Sequence, residues 1–372
     1  MRASCRPFPK ETRLRDGLPD SETVADASES RRVPLVYPFA DKPEPGAAIE
    51  VAPGVQWLRL PLPFVLNHIN VWALEDGDGW TLVDTGVRSK DCMAAWDMAL
   101  GDPLGGRPVK RVICTHMHPD HVGLAGWLTR RFDCRLWMTR LEYMTCRVLV
   151  ADTGREAPED GVRFYRAAGW SEEQIEAYQA RFGGFGKAVH HLPDSYRRLS
   201  EGEVVRIGDN DWRVVIGNGH SPEHACLWSE ALGVLISGDQ VLPRISSNVS
   251  VWPTEPDADP LSDWLASLAK LKREIPADAL VLPSHGEPFR GLHDRLDALT
   301  RGHEKSLARL HRMLATPRRV VDTFGALFAR PIGDDLIGMA TGEAGAHLNC
   351  LLGRGQAVVE PDETGVLWWR AA

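Results

Sequence analysis

One short segment constrains this chain more than any other: Thr115-His116-Met117-His118-Pro119-Asp120-His121. It places three imidazoles and one carboxylate within six positions. Imidazole and carboxylate are the donors that bind zinc, and short spacings fix their geometry. An apolar, β-branched run from Val109 to Cys114 precedes the segment, and helical spacing follows from His121 to Phe132. A strand that ends where a helix begins turns the backbone sharply and aims neighbouring side chains into one pocket. His116 and His118, two apart, can point the same way, and Asp120 and His121 reach a second position nearby. The pattern arises by chance in about one chain in a thousand of this composition. The plain alternative is a polar loop whose histidines cap a helix.

Four further segments share that context. Leu82-Val83-Asp84-Thr85-Gly86, Gly217-Asn218-Gly219-His220, Ile236-Ser237-Gly238-Asp239 and Leu282-Pro283-Ser284-His285-Gly286 each follow an apolar strand. Each sets one His or Asp just beyond it, beside Gly or Ser. Singly, such a residue reads as a cap. The strand ends of an α/β sandwich converge on one edge, so together they can meet.

The order LVDTG, HMHPDH, GNGHSPEH, SGDQ and PSHG resembles the five ordered motifs of the metallo-β-lactamase superfamily, from Asp84 to His285. The resemblance implies an α/β fold, a four-layer αβ/βα sandwich with two metal ions at one edge. It implies that His116, His118 and His220 bind the first metal, that Asp120, His121 and His285 bind the second, and that Asp239 bridges both. Asp84 corresponds to a carboxylate that orients ligands without being one. The bridging residue is Asp rather than the Cys of many zinc β-lactamases. That points towards the branch resembling glyoxalase II, lactonases and metal-dependent nucleases. Two zinc ions per chain are expected, and iron or manganese also suits these donors.

Three regions are expected: a disordered N-terminal extension at 1–32, a catalytic domain at 33–291 with a helical insertion at about 141–188, and a winged-helix-like domain at 292–372. The extension mixes Arg, Asp, Glu, Ser and Pro with few large apolar residues. It lacks the apolar core of a secretory signal. Strand signals frame a hairpin whose loop is Glu75 to Gly79, a helix from Lys90 to Leu100, and a helix opened by Asp259-Pro260. After Gly291 helical patterns run to Leu352, and a strand pair closes the chain. No apolar run is long enough to span a bilayer, so no membrane association is expected. Seven cysteines without a C-x-x-C pair read as reduced thiols, and hence a cytoplasmic setting.

The chemistry implied is hydrolysis in which a hydroxide bridging the two metals attacks a carbonyl ester or thioester of a small molecule, such as an acyl-thioester or a lactone. Catalytic candidates are Asp120, Asp84 and His224; His224 reads more often as a residue that orients a ligand or starts a helix. A helical insertion beside the metals suits a lid over an apolar acyl group. The alternative is an endoribonuclease whose winged helix contacts RNA. The net charge of −8 disfavours nucleic acid as a partner. So do nine Lys/Arg against eight Asp/Glu from Arg301 to the end. Phe324, Leu327, Leu348 and Leu351 read as packing or homodimer contacts. His68 and Arg244 are weaker candidates for facing the substrate, reading equally as a surface turn and an ordinary salt bridge; Tyr143 and Tyr165 could line the entrance, though core packing is the better reading. His190, His191, His293, His303, His311 and His347 read as structural or exposed.

Overall fold

The computed structural model describes residues 35–63 and 66–372. The extension at 1–32 lies outside them. Two sheets stack face to face. The first has seven strands in sequence order: β1 (Ala48–Ala52), β2 (Val55–Pro61), β3 (His68–Asp76), β4 (Gly79–Val83), β5 (Val109–Ile113), β6 (Arg135–Met138) and β7 (Arg197–Arg198). Its first four strands pair antiparallel and the rest parallel. The second runs β12-β11-β10-β9-β8, where β8 is Val204–Ile207, β9 Asn210–Gly217, β10 His224–Ser229, β11 Val234–Gly238 and β12 Leu280–Pro283.

Between the sheets lies an apolar layer that includes Trp57, Trp72, Ile113, Trp212, Leu227 and Leu282. Outside the first sheet pack α1 (Lys90–Gly101), the short α2 (Pro119–Val122), α3 (Ala125–Phe132) and α4 (Arg140–Ala151). Outside the second pack α5 (Glu159–Ala167), α6 (Glu172–Arg181), α7 (Pro260–Glu274) and α8 (Leu292–Met313). The result is helix, sheet, sheet, helix, as the motifs implied.

The C-terminal region adds α9 (Phe324–Leu327), α10 (Ile337–Gly353) and a hairpin of β13 (Ala357–Pro361) and β14 (Leu367–Ala371). It shares the core of the second outer layer through Leu327, Leu348 and Leu351. No helix among the described residues is long and apolar enough to cross a membrane. The six described cysteines are free, and Cys5 lies outside the described residues.

Several local expectations change. The first hairpin turns at Gly77-Asp78, because Glu75 and Asp76 still pair with Trp80 and Gly79. The expected helix from His121 to Phe132 is broken at Gly123. There the His121 carbonyl accepts from the Thr85 N–H and hydroxyl, and the Leu124 N–H donates to Gly86. A Cβ at Gly123 would lie 2.6 Å from the Gly86 carbonyl oxygen, so only glycine admits this approach. The insertion is not a free lid. Tyr143 and Cys146 of α4 enter the first outer core, while Val162, Tyr165 and Ile175 enter the second.

Candidate metal centre

The loops that follow β4, β5, β9, β11 and β12 meet at one edge. The Ala225 N–H donates to the Thr115 carbonyl and joins the second sheet to the His116 loop. Asn70 ties β3 to the loop after β12. Its N–H donates to the Ser284 carbonyl, and its side-chain amide to Pro283 and Gly286.

Two groups of donors result: His116, His118, His220 and Asp239, and beside them Asp120, His121 and His285. Within each group one donor atom per residue lies within 4.8 Å of every other. In the first, His116 Nε2 is 2.9 Å from His118 Nδ1 and 3.3 Å from His220 Nε2. In the second, Asp120 Oδ2 is 3.5 Å from His121 Nε2 and 3.3 Å from His285 Nε2. Asp239 sits between them: Oδ2 is 3.5 Å from His220 Nε2 and 3.4 Å from His121 Nε2, and Oδ1 is 3.5 Å from His285 Nε2. Donors tetrahedrally bound to one zinc stand ~3.3 Å apart, given Zn–N bonds of ~2.05 Å. The spacing fits.

The outward nitrogens of these rings are held in place. His121 Nδ1 is 2.8 Å from Asp84 Oδ2, His285 Nδ1 donates to the His68 carbonyl at 2.9 Å, and His220 Nδ1 donates to the Asn248 carbonyl at 2.7 Å. Each contact points the ring's Nε2 at the centre and selects the tautomer that leaves its lone pair free. Asp84 is one of two described non-glycine residues in the left-handed region, with φ 63°. It also accepts from the Thr115 N–H and hydroxyl. It orients and does not face the centre.

The electrostatics fit cations. Burial alone would lower the His121 pKa, yet Asp120, Asp239 and Asp84 outweigh burial and hold it well above its usual value. Burial, with His121 and His118 adding to it, pushes His116 well below. Burial, chiefly reinforced by His220, pushes His118 down to about 3. Burial opposes ionisation of Asp120, but His121 and His285 keep it below the usual carboxylate range. Among the described residues, the buried atoms His121 Nε2 and Asp239 Oδ1 have no hydrogen-bond partner. Imidazoles held neutral at His116 and His118, an ionised carboxylate at Asp120 and a His121 ring that holds its proton among three carboxylates, where a cation would take that proton's place, are what a pair of divalent cations would satisfy.

His224 supports a ligand from behind. It starts strand β10, not a helix, and is fully buried. Its Nε2 accepts the Asp239 N–H at 3.1 Å, so it holds the shared carboxylate from behind. Gly238, at φ +53°, makes this possible, since a Cβ there would lie 2.4 Å from the His224 ring. His68 backs His285 and accepts the Gly286 N–H through Nε2. Arg244 pairs with Glu287 at 2.9 Å. Tyr143 stacks on Tyr196 and donates to the Pro193 carbonyl, and Tyr165 is buried in the core; neither lines the entrance.

Glu142 is one of the residues that no sequence motif revealed. It is fully buried and accepts from the Met117 N–H, the Ser221 hydroxyl and the Glu223 N–H. It thereby joins the His116–His118 loop to the His220 loop. No motif marks it, because its partners lie 25 and 79 residues away.

Two stacked sheets carrying a dinuclear metal site on one edge define a metal-dependent hydrolase. The chain belongs to the metallo-β-lactamase superfamily, which it matches over residues 65–285, and residues 307–372 match the metallo-β-lactamase-like C-terminal domain. A β-lactamase domain protein from Burkholderia ambifaria is 43% identical, with a TM-score of 0.80 over 91% of this chain and 99% of that one. The "Probable metallo-hydrolase YqjP" of Bacillus subtilis is 26% identical over 84% of this chain and 94% of its own length. The acyl-coenzyme A thioesterase MBLAC2 of Gallus gallus is 25% identical over 68% of this chain and 82% of its own.

Proposed function

We propose that this chain hydrolyses a small carbonyl ester or thioester with two zinc ions, held by His116, His118 and His220 on one side, Asp120, His121 and His285 on the other, and Asp239 between. The observation that carries the reading is Asp239, whose two oxygens face both donor sets at once. The donors are all imidazole and carboxylate, which supports zinc over softer ions. A bound pair of such cations supplies a nucleophilic water at neutral pH and polarises the carbonyl oxygen. Asp120 stays ionised; Oδ2 would hold the second cation, and the other carboxylate oxygen is left to hold a proton of the attacking water. His224 and Asp84 act through Asp239 and His121 and touch no substrate.

The named activity of the chicken relative supports an acyl-thioester as substrate. The nearly balanced charge of the C-terminal region argues against RNA. The test is to load purified protein with zinc and compare turnover of an acyl-thioester, a lactone and single-stranded RNA, with Asp239→Ala as control. Thioester or lactone turnover that the control abolishes supports the proposal; turnover confined to RNA overturns it. Asp120→Ala is expected to lower turnover by two orders of magnitude or more, on the order of a lost general base, with the circular dichroism spectrum unchanged. Near-normal turnover would remove Asp120 from the chemistry.

A further inference from the structure

Between Gly238, which ends β11, and Pro260, which opens α7, the chain runs without helix or strand. This stretch starts with Asp239 and contains Asn248, whose carbonyl orients His220. Connections of this length without regular structure are uncommon in compact domains. Their backbone polar groups need partners from elsewhere. Here the partners come from the two long helices that follow the catalytic sheets. Arg295 of α8 donates to the Leu242 and Ile245 carbonyls, both at 2.6 Å. The Val251 N–H donates to the Gly342 carbonyl of α10 at 3.0 Å. Asn349 of α10 donates to the Pro256 and Ala258 carbonyls. The approach at Gly342 is close enough that a Cβ would stand 2.8 Å from Ser250 Cβ.

We infer that Glu343, on α10, is a positioning residue for His220. Its Oε2 accepts from Asn248 Nδ2 at 3.1 Å. From the other side the Ser250 hydroxyl donates to Asn248 Oδ1 at 2.5 Å. The Asn248 side chain is therefore held at both ends, and its backbone carbonyl accepts from His220 Nδ1. The C-terminal region thus shapes the first donor set through three consecutive contacts: Glu343 to Asn248, Asn248 to His220, and His220 to the centre. None of the five sequence motifs contains Glu343, Asn248 or Ser250.

The inference rests on the dinuclear reading of the site and not on the choice of substrate. The test reads metal, not turnover. Full-length wild type, Glu343→Ala, Glu343→Gln and Asn248→Ala are titrated with zinc against a chromophoric chelator, and the absorption spectra of their cobalt-loaded forms are compared. Loss of a group that orients a ligand weakens metal binding by roughly ten- to a hundredfold. Glu343 acts one residue further out, so Glu343→Ala should weaken one of the two cations by about tenfold, leave the other within about twofold, and shift the cobalt spectrum. Glu343→Gln keeps an oxygen for Asn248 Nδ2 and should bind like wild type. Two outcomes overturn the inference alone: a Glu343→Ala protein with wild-type affinities and spectrum, or a Glu343→Gln protein as weak as the alanine variant. If Glu343→Ala does not fold, Asn248→Ala decides, because it removes the side chain that Glu343 holds and keeps the carbonyl that His220 meets. It should show the same selective loss, and unchanged binding refutes the inference. A wild-type chain that takes up no cation overturns the reading of the site together with this inference.

Discussion

Asp84→Asn separates the metal site from the scaffold more cleanly than any other single change. Asp84 sits at φ 63°, where Asn is tolerated almost as well as Asp and alanine is not. The substitution therefore adds little backbone strain. Its carbonyl oxygen can replace Oδ1 and still accept from the Thr115 N–H, now at 2.8 Å. The amide nitrogen then replaces Oδ2, which faces His121 Nδ1 at 2.8 Å. A donor meets a donor, unless the imidazole moves its proton to Nε2 and loses the lone pair that points at the centre. Either way a charge-assisted hydrogen bond is lost, worth about 1.5–3 kcal/mol. At about 1.4 kcal/mol per decade this is roughly a ten- to a hundredfold loss of affinity for one cation. Chelator competition on wild type and Asp84→Asn measures it, with urea denaturation in chelator as the control for folding. An Asp84→Asn protein that binds two cations as tightly as wild type would refute the tautomer argument.

Glu142 gives a test in pH. Burial raises its pKa from 4.5 to about 7 against three hydrogen bonds that favour the carboxylate. The folded state therefore holds this proton more tightly than the unfolded chain does. The resulting stability is present below pH 4.5 and lost as pH rises through 7. In chelator, wild type should lose about 3 kcal/mol relative to Glu142→Gln across that window, from about 1.4 kcal/mol per pKa unit; a constant difference in urea stability would show that Glu142 is ionised throughout. Zinc at a hundredfold its dissociation constant should stabilise the chain by about 2.7 kcal/mol per site, seen as a melting shift of several degrees that chelator reverses; an unmoved melting point would deny metal binding by the folded state. Arg244 is 63% exposed in its side chain and paired with Glu287, so Arg244→Ala should cost under about 1 kcal/mol and leave KM unchanged; a tenfold rise in KM would return Arg244 to the substrate.

Every donor atom of the metal centre belongs to a residue that stood out in the sequence, because such donors follow strand ends beside Gly, Ser or Pro. Local spacing also marked the helix at Lys90 and the cap at Asp259, whose side chain accepts from the Ser262 N–H. The groups that aim the donors were harder to see. His224 reads in the sequence as either a residue behind a ligand or a helix start, and the structure decides for the first, with Asp239 supported from β10. Glu142, Asn70, Asn248 and Glu343 carry no motif at all. Each works through partners dozens of residues away, and a buried acceptor cannot be told from an exposed one by its neighbours in the chain. The break at Gly123 was equally hidden, since it depends on the Gly86 carbonyl approaching across the fold.

The amino-acid sequence by itself determined which side chains could hold metal and that they lie at successive strand ends, because strand, turn and donor are all local patterns. Only the tertiary structure decided which nitrogen of each imidazole faces the centre, and that the C-terminal helices brace the loop behind His220. Those outcomes depend on contacts between distant segments, and such contacts exist only once the two sheets have packed.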